Sequence, residues 1–326
     1  MEKFNKLKLW LNMQNDNLRM YSKGSRGIYS INDIKNNEVI LQIPSKYIIE
    51  YSKVSNNSIS SKLYNSNSIL ALYLLMKSQK KSFWSPYLDS LPESVNEYIF
   101  FYNKEKLSQL KDTSLMFKDT FNYNEHLKNI VHDSKIVHTW LLKKNLLKDD
   151  SLKIYKNFFK LFLKYRILVC SRVFGYTKNN QDETGLVPYA DLFNHSQKCN
   201  TTWYFDDSLD SFILKATSDI KKNSEIYDSY GEKTNNELLL YYGFTIKNNK
   251  NSRLYMKDSS DIIELDYNTK LSDIVDKDNK KEKIIRKLKT ILESHQNKIK
   301  EGTIKDNNIS NIYNDEISII KKILKL

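Results

Sequence analysis

The stretch GLVPYADLFNHSQKCN, residues 185–200, runs from apolar residues straight into Asp191, Asn194, His195 and Ser196. Polar groups in a segment patterned as interior need partners, because each one left unpaired costs about 1–3 kcal/mol. Two readings are open. The cluster is a capped turn that fixes a loop, or it holds a polar ligand. Asp191, His195 and Ser196 also suggest a hydrolase triad, but triad members converge from different elements and sequence neighbours rarely do. No G-x-S-x-G elbow accompanies them. Walker A, G-x-G-x-x-G and H-E-x-x-H motifs are absent as well. His126, His132 and His138 are spaced by six, which puts them on different helix faces and argues against a shared metal.

The elements around this cluster are legible. GIYS and EVILQI, within 27–49, are short β-type runs separated by a turn. Residues 66–80 have helical apolar spacing. FWSPYLDSLPESV holds two of the four prolines and is expected to be an irregular connection. The pattern is helical and charged from about 103 to 150. NFFKLFLKYRILVCSRVF, 157–174, is expected to be one helix with a stripe of Phe158, Phe162, Tyr165, Val169 and Val173. At about 100° per residue, Arg172 then lies roughly 50° from the stripe's centre. Arg172 and Arg166 face opposite margins of the interior, where a snorkelling side chain is the plain reading. TTWYF and SFILKA, joined by DDSLD, form a hairpin, and EIYDSY is a further strand. Thr234 and Glu237 have capping-box spacing, and Gly243 is the stop signal of the helix between. After Phe244 the texture becomes lysine-rich. One amphipathic helix is expected over 276–300, with Ile284, Leu288, Ile291, Leu292 and Ile299 on one side, and a second over 315–325.

Composition sets the class. The 326 residues are 40% hydrophobic and 12% aromatic, too rich for disorder and enough for a large core. The charge of +13 comes from 52 basic and 39 acidic residues spread along the chain. It speaks to nonspecific attraction more than to a nucleic-acid site. Cys170 and Cys199 form neither CxxC nor a zinc-ligand spacing. The start, MEKFNKLKLWLN, lacks an apolar core of signal-peptide length, and ILALYLLM, 69–76, is too short to span a bilayer. A reducing, cytoplasmic (or nuclear) location is expected, with no metal and no membrane partner.

Three separated segments, KGSRGIYSINDIKNNEVILQIP (23–44), GLVPYADLFNHS followed by TTWY, and EIYDSYGEKTNNELLLYYGF (225–244), resemble in order and wording the SET-domain methyltransferases. The nearest branch includes the Rubisco large-subunit and actin-histidine methyltransferases, and FWSPYLDSLP and SRVF match it too. The resemblance covers about residues 20–244. It implies an α+β SET fold of small curved β-sheets with a threaded C-terminal segment. The SET domain would span 1–244 with a helical insertion at about 50–180, and 245–326 would be a short helical domain like a shortened substrate-binding domain.

The resemblance further implies S-adenosyl-L-methionine as cofactor and methyl transfer to a protein side chain. Tyr230 matches the catalytic tyrosine. Gly24, Ser25 and Arg26 match the turn whose backbone lines the cofactor, and small residues permit that approach. Arg172 matches an arginine that meets the cofactor's carboxylate, a task its fork suits. Asn194 and His195 match the cofactor-holding Asn-His pair, in the segment that Asp191 begins. Tyr242 and Phe244 match residues that close over the adenine. Tyr204 matches an aromatic of the acceptor pocket, where Asp191 and Tyr176 are also expected. Lysine is the expected acceptor and histidine the alternative. A nonhistone protein substrate, no specific nucleic acid and a monomer are expected. The rivals are a SET-like binding module of weak activity and a nucleic-acid-binding protein driven by charge.

Overall fold

The computed structural model describes every residue except 1, 14–17, 22–25, 56–57, 118–121, 259–260 and 275–277. The chain divides into two compact units, Met1–Glu93 with Asn129–Gly231, and Ser94–Lys128 with Glu232–Leu326.

The first unit holds small sheets. β1 (Leu18–Tyr21) pairs antiparallel with β2 (Gly27–Ser30). β3 (Val39–Pro44), β4 (Ile49–Glu50), β5 (Val173–Lys178) and β6 (Gln181–Leu186) follow. Then come β7 (Asn194–His195), β8 (Thr201–Asp206), β9 (Ser211–Ala216) and β10 (Tyr227–Asp228). The sheet orders are β3-β9-β8, β4-β6-β5 and β10-β7, the last pair parallel. The expected β8–β9 hairpin forms with Asp206 opposite Ser211. Asp206 Oδ1 accepts the Ser208 and Leu209 N–H groups and so fixes the turn. β9 is the central strand and is buried on both faces, hence its continuous apolar run.

Two helices of this unit pack on each other. Helix Ser66–Ser78 is capped by Asn65, which accepts the Asn67 N–H. Helix Tyr155–Cys170 buries Phe158, Phe162, Leu163, Ile167 and Val169. It stops four residues earlier than its periodicity suggests, because Ser171 closes the last turn and Val173–Lys178 pairs as β5. Arg172 therefore sits in the turn between helix and strand, and the helical-wheel argument for it does not apply. Both arginines are buried, at 5% exposure for Arg166 and 8% for Arg172, and neither snorkels. Arg166 is held by Ser68 Oγ and Cys170 Sγ. The expected irregular connection at FWSPYLDSLP contains a short helix, Ser85–Ser90, because Pro86 in a first turn needs no N–H partner.

In the second unit, helix Asn235–Tyr242 has the capping box of Thr234 and Glu237. It ends at Gly243 with φ +78°, where a Cβ would crowd the Glu97 carbonyl and the Tyr98 ring at 3.3 Å. The segment after 244 is not wholly helical. β11 (Leu254–Asp258) and β12 (Asp261–Leu265) form a hairpin, because Leu254 and Met256 alternate into the core with Leu265. Helix Asp278–Lys300 buries Ile284, Leu288 and Leu292, with Ile291 and Ile299 partly covered. Helix Asn307–Leu324 starts earlier than expected, since Asp306 accepts the Asn308 and Ile309 N–H groups and caps an asparagine-rich first turn. No described helix is long and apolar enough to cross a membrane.

Candidate active site

The opening cluster lies in the first unit. β7 and β10 run parallel with Asn194 opposite Tyr227 and His195 opposite Asp228. The Ser196 N–H donates to the Asp228 carbonyl at 3.1 Å and extends the join. Two distant chain segments thus place Asn194 and His195 beside the approach to Tyr230.

Asn194 uses both hydrogens of its amide. Nδ2 donates to the Arg26 carbonyl at 2.6 Å and to Glu225 Oε1 at 2.8 Å. The Tyr29 and Tyr227 hydroxyls donate to Glu225 Oε2 at 3.0 and 2.8 Å. Glu225 is therefore the hub that ties β2, β7 and the chain entering β10. Burial, and next Glu225, push the Tyr227 phenol up to about 12. Gly27 packs against this hub, where a Cβ would stand 2.3 Å from Glu225 Oε1.

Tyr230 is held from two sides. Its N–H donates to His195 Nδ1 at 3.0 Å, its hydroxyl donates to the Phe193 carbonyl at 2.8 Å, and the two rings stack at 5.1 Å. Burial lowers the His195 pKa against a hydrogen bond to the Asp228 backbone, so the ring is neutral near pH 7. With Nδ1 accepting, its proton is on Nε2.

Arg172 and Asp191 form a buried pair beside this network. Arg172 donates to the Asp191 carbonyl at 2.8 Å and to its Oδ2 at 3.3 Å, and Tyr87 donates to the same Oδ2 at 2.9 Å. Burial, then the Asp191 charge, hold the Tyr87 phenol well above its ordinary range. Asp191 Oδ1 is buried without a hydrogen-bond partner among the described residues. Tyr189, at φ 73° and ψ −41°, opens the turn Ala190–Leu192 that aims Asp191. A bulky residue there costs on the order of 1–3 kcal/mol, and such strain concentrates at functional sites.

Asp228, opposite His195 on β10, is buried. Burial raises its carboxyl from 3.8 to about 6, against hydrogen bonds from the Ser229 N–H and Trp203. A carboxyl raised on folding adds stability below the unfolded value, and that share is lost as pH climbs through the folded one. The window here is about 4 to 6. Asp228→Asn is expected to gain about 1–3 kcal/mol above this window and nothing below it. Denaturant melts across the range check this, and an equal gain at both ends would refute it.

The structure brings Arg26, Asn194, His195 and Tyr230 into one bonded network and pairs Arg172 with Asp191 next to it in the chain. Gly24 and Ser25 lie outside the described residues. Tyr176 lies on β5 and Tyr204 on β8. The Tyr176 hydroxyl donates to Glu50 at 3.1 Å and its ring stacks on Phe205. Tyr204 is 41% exposed on β8 with the Lys215 ammonium 5.5 Å from its ring centre. Tyr242 and Phe244 belong to the second unit, where their rings meet edge to face at 6.3 Å. Sequence reasoning missed Glu225, Tyr87 and Asp228. A carboxylate opening EIYDSY, in a run otherwise patterned for burial, was the available signal for Glu225. Among the described residues no group of three His, Cys, Asp or Glu is placed to hold a metal.

The chain is similar to known proteins in sequence and fold. The family model described as "SET domain" matches residues 25–231. The chain is 29% identical over 242 residues to the ribulose-1,5-bisphosphate carboxylase/oxygenase large-subunit N-methyltransferase of Pisum sativum, covering 70% of this chain and 47% of that protein. It is 26% identical over 250 residues to the actin-histidine N-methyltransferase of Homo sapiens, covering 71% and 39%. The chain thus spans less than half the length of these relatives. A crystal structure of the SET domain of LSMT bound to lysine and AdoHcy superposes with a TM-score of 0.68 at 18% identity, over 99% of this chain and 90% of that one. A structure of Rubisco LSMT bound to AdoMet gives 0.64 at 18% identity, over 99% and 90%.

Proposed function

The chain belongs to the SET domain family, and from that premise we propose that it is an S-adenosyl-L-methionine-dependent protein N-methyltransferase acting on a lysine of a nonhistone protein. The observation that carries the proposal is the double anchoring of Tyr230, by His195 Nδ1 and by the Phe193 carbonyl. A phenol whose proton is committed to a carbonyl presents its oxygen as an acceptor.

The chemistry of the surrounding groups fits the cofactor. Its methionyl end carries a carboxylate and an ammonium. Arg172 is a buried guanidinium, suited to the carboxylate. Asn194 has spent both amide hydrogens, so its Oδ1 acceptor is the part suited to the ammonium. Asp191 Oδ1, buried without a hydrogen-bond donor among the described residues, favours a cationic neighbour in the same place. When bound, the cofactor supplies a methyl group activated by a sulfonium. Tyr242 and Phe244 would cover its adenine, and Tyr204 would line the acceptor pocket.

The chain's own task is placement. Tyr230 orients the acceptor nitrogen through its phenolic oxygen, and a near-attack geometry of about 3–3.5 Å supplies most of what an in-line transfer needs. A lysine acceptor must first lose its proton, which costs on the order of 3 kcal/mol at pH 8. A histidine acceptor needs almost none. Lysine is favoured because the LSMT SET-domain structure that this chain resembles holds lysine. Histidine is the second reading, carried by the relatives named actin-histidine N-methyltransferase. Residues 245–326 would serve the protein substrate beside a SET domain of 1–244. The same reading makes the protein a cytoplasmic or nuclear monomer without a specific nucleic-acid or membrane partner.

Incubation of the purified protein with methyl-labelled cofactor and cell extract, followed by mass spectrometry, tests this. A labelled protein carrying the methyl on a lysine Nζ is expected. Label on a histidine ring moves the assignment to the second reading. Cofactor binding without any labelled protein overturns both in favour of a binding module.

A further inference from the structure

The second unit contains a small polar cleft of about 260 Å³ that the site described above does not use. That volume is below the roughly 300–1,000 Å³ typical of cofactor pockets and suits a single side chain. Glu232, Glu237 and Glu264 line it, and Arg253 is the sole cation among its described lining residues. Arg253 is already spent, with Nε at 2.9 Å from Glu264 and a terminal nitrogen at 3.5 Å from Asp266. Lys233 approaches Glu237 only to 3.9 Å. Three lining carboxylates thus share Arg253 and the distant Lys233, although Glu237 Oε2 also accepts the Thr234 N–H and hydroxyl.

An acidic cluster alone would be ordinary surface. Asn236 makes the difference. It also lines the cleft and is only 5% exposed, yet its side chain has no hydrogen-bond partner among the described residues. Its amide lines the cleft, where the oxygen can accept from an incoming donor. The field of the cleft registers on Tyr255, another lining residue, whose phenol is pushed up to about 12 by burial and then by Glu264. Its position in the chain adds a reason. Glu232 follows Tyr230 by two residues, at most about 7 Å of extended backbone.

We propose that this cleft is a specificity subsite for a cationic side chain, arginine or lysine, that flanks the acceptor residue of the protein substrate. The carboxylates of Glu232 and Glu237 accept its N–H groups, and the Asn236 amide oxygen accepts another. This rests on the protein-methyltransferase reading.

The test is methylation of two peptide libraries, one centred on lysine and one on histidine, with randomised flanks. The wild type and the Glu232→Gln/Glu237→Gln variant are compared. Gln at 237 keeps the capping box, so helix Asn235–Tyr242 is retained. In the wild type, peptides with arginine or lysine at one flanking position should be enriched about tenfold over neutral ones, on the scale of a charge-assisted hydrogen-bonded contact. In the variant that ratio should fall to about twofold or less. Methylation with no such enrichment, or with equal enrichment in both proteins, overturns the subsite and leaves the methyltransferase reading standing. If neither library is methylated, that reading fails. The subsite is then decided by NMR titration of the whole protein with N-acetylarginine amide, N-acetyllysine amide and the uncharged N-acetylcitrulline amide. Shifts of the Asn236 side-chain amide with either cation, and not with citrulline, support a cation site. Equal shifts with all three, or none, overturn it.

Discussion

Replacing Tyr230 with phenylalanine is expected to lower kcat by about 100- to 1,000-fold, the usual cost of deleting one preorganised polar group at a reacting centre. Cofactor affinity should change by less than about threefold, because the ring keeps its stack on His195 and its N–H keeps the bond to Nδ1. The Phe193 carbonyl loses a donor, so stability should fall by about 1 kcal/mol. Single-turnover rates with an unmethylated target, beside isothermal titration of the cofactor, separate these quantities. Turnover within threefold of wild type would remove Tyr230 from the chemistry.

Arg172→Ala has the largest expected effect on stability. It strips the cation from Asp191, both side chains being buried, and breaking such a pair from one side costs about 3–5 kcal/mol. That is a large part of the 5–15 kcal/mol that holds a typical domain folded. Loss of cofactor binding in this variant alone would therefore be ambiguous. Arg172→Ala/Asp191→Asn resolves it. An amide at 191 keeps an oxygen for the Tyr87 hydroxyl and buries no unpaired charge. The double variant should recover at least half of the lost stability, read by denaturant melts, and still bind cofactor at least tenfold more weakly than wild type. Recovery of both stability and affinity would make Arg172 a purely structural residue.

Several elements were legible because their signals are local. The β8–β9 hairpin, the Thr234–Glu237 capping box and the Gly243 stop depend on residues within a few positions of one another. Arg172 was misplaced for a local reason too. Val173 continues the apolar stripe of the preceding helix, and only pairing with Leu186 on β6 draws it into a strand. The hairpin at 254–265 escaped notice because lysine-rich helices dominate the composition around it, while its alternation spans only five residues a side.

The sequence alone determined the family, through the order of three motifs, and named Asn194, His195, Tyr230 and Arg172 as a set. What those residues touch was decided by tertiary structure. Glu225 as the acceptor of Asn194, Tyr29 and Tyr227 depends on segments about 196 and 31 residues apart along the chain meeting at one carboxylate. The Arg172–Asp191–Tyr87 group and the buried Asp228 arise in the same way. The physical reason is that a side chain's type records what it can donate or accept, whereas its partner and its burial are set by distant segments that periodicity and spacing do not encode.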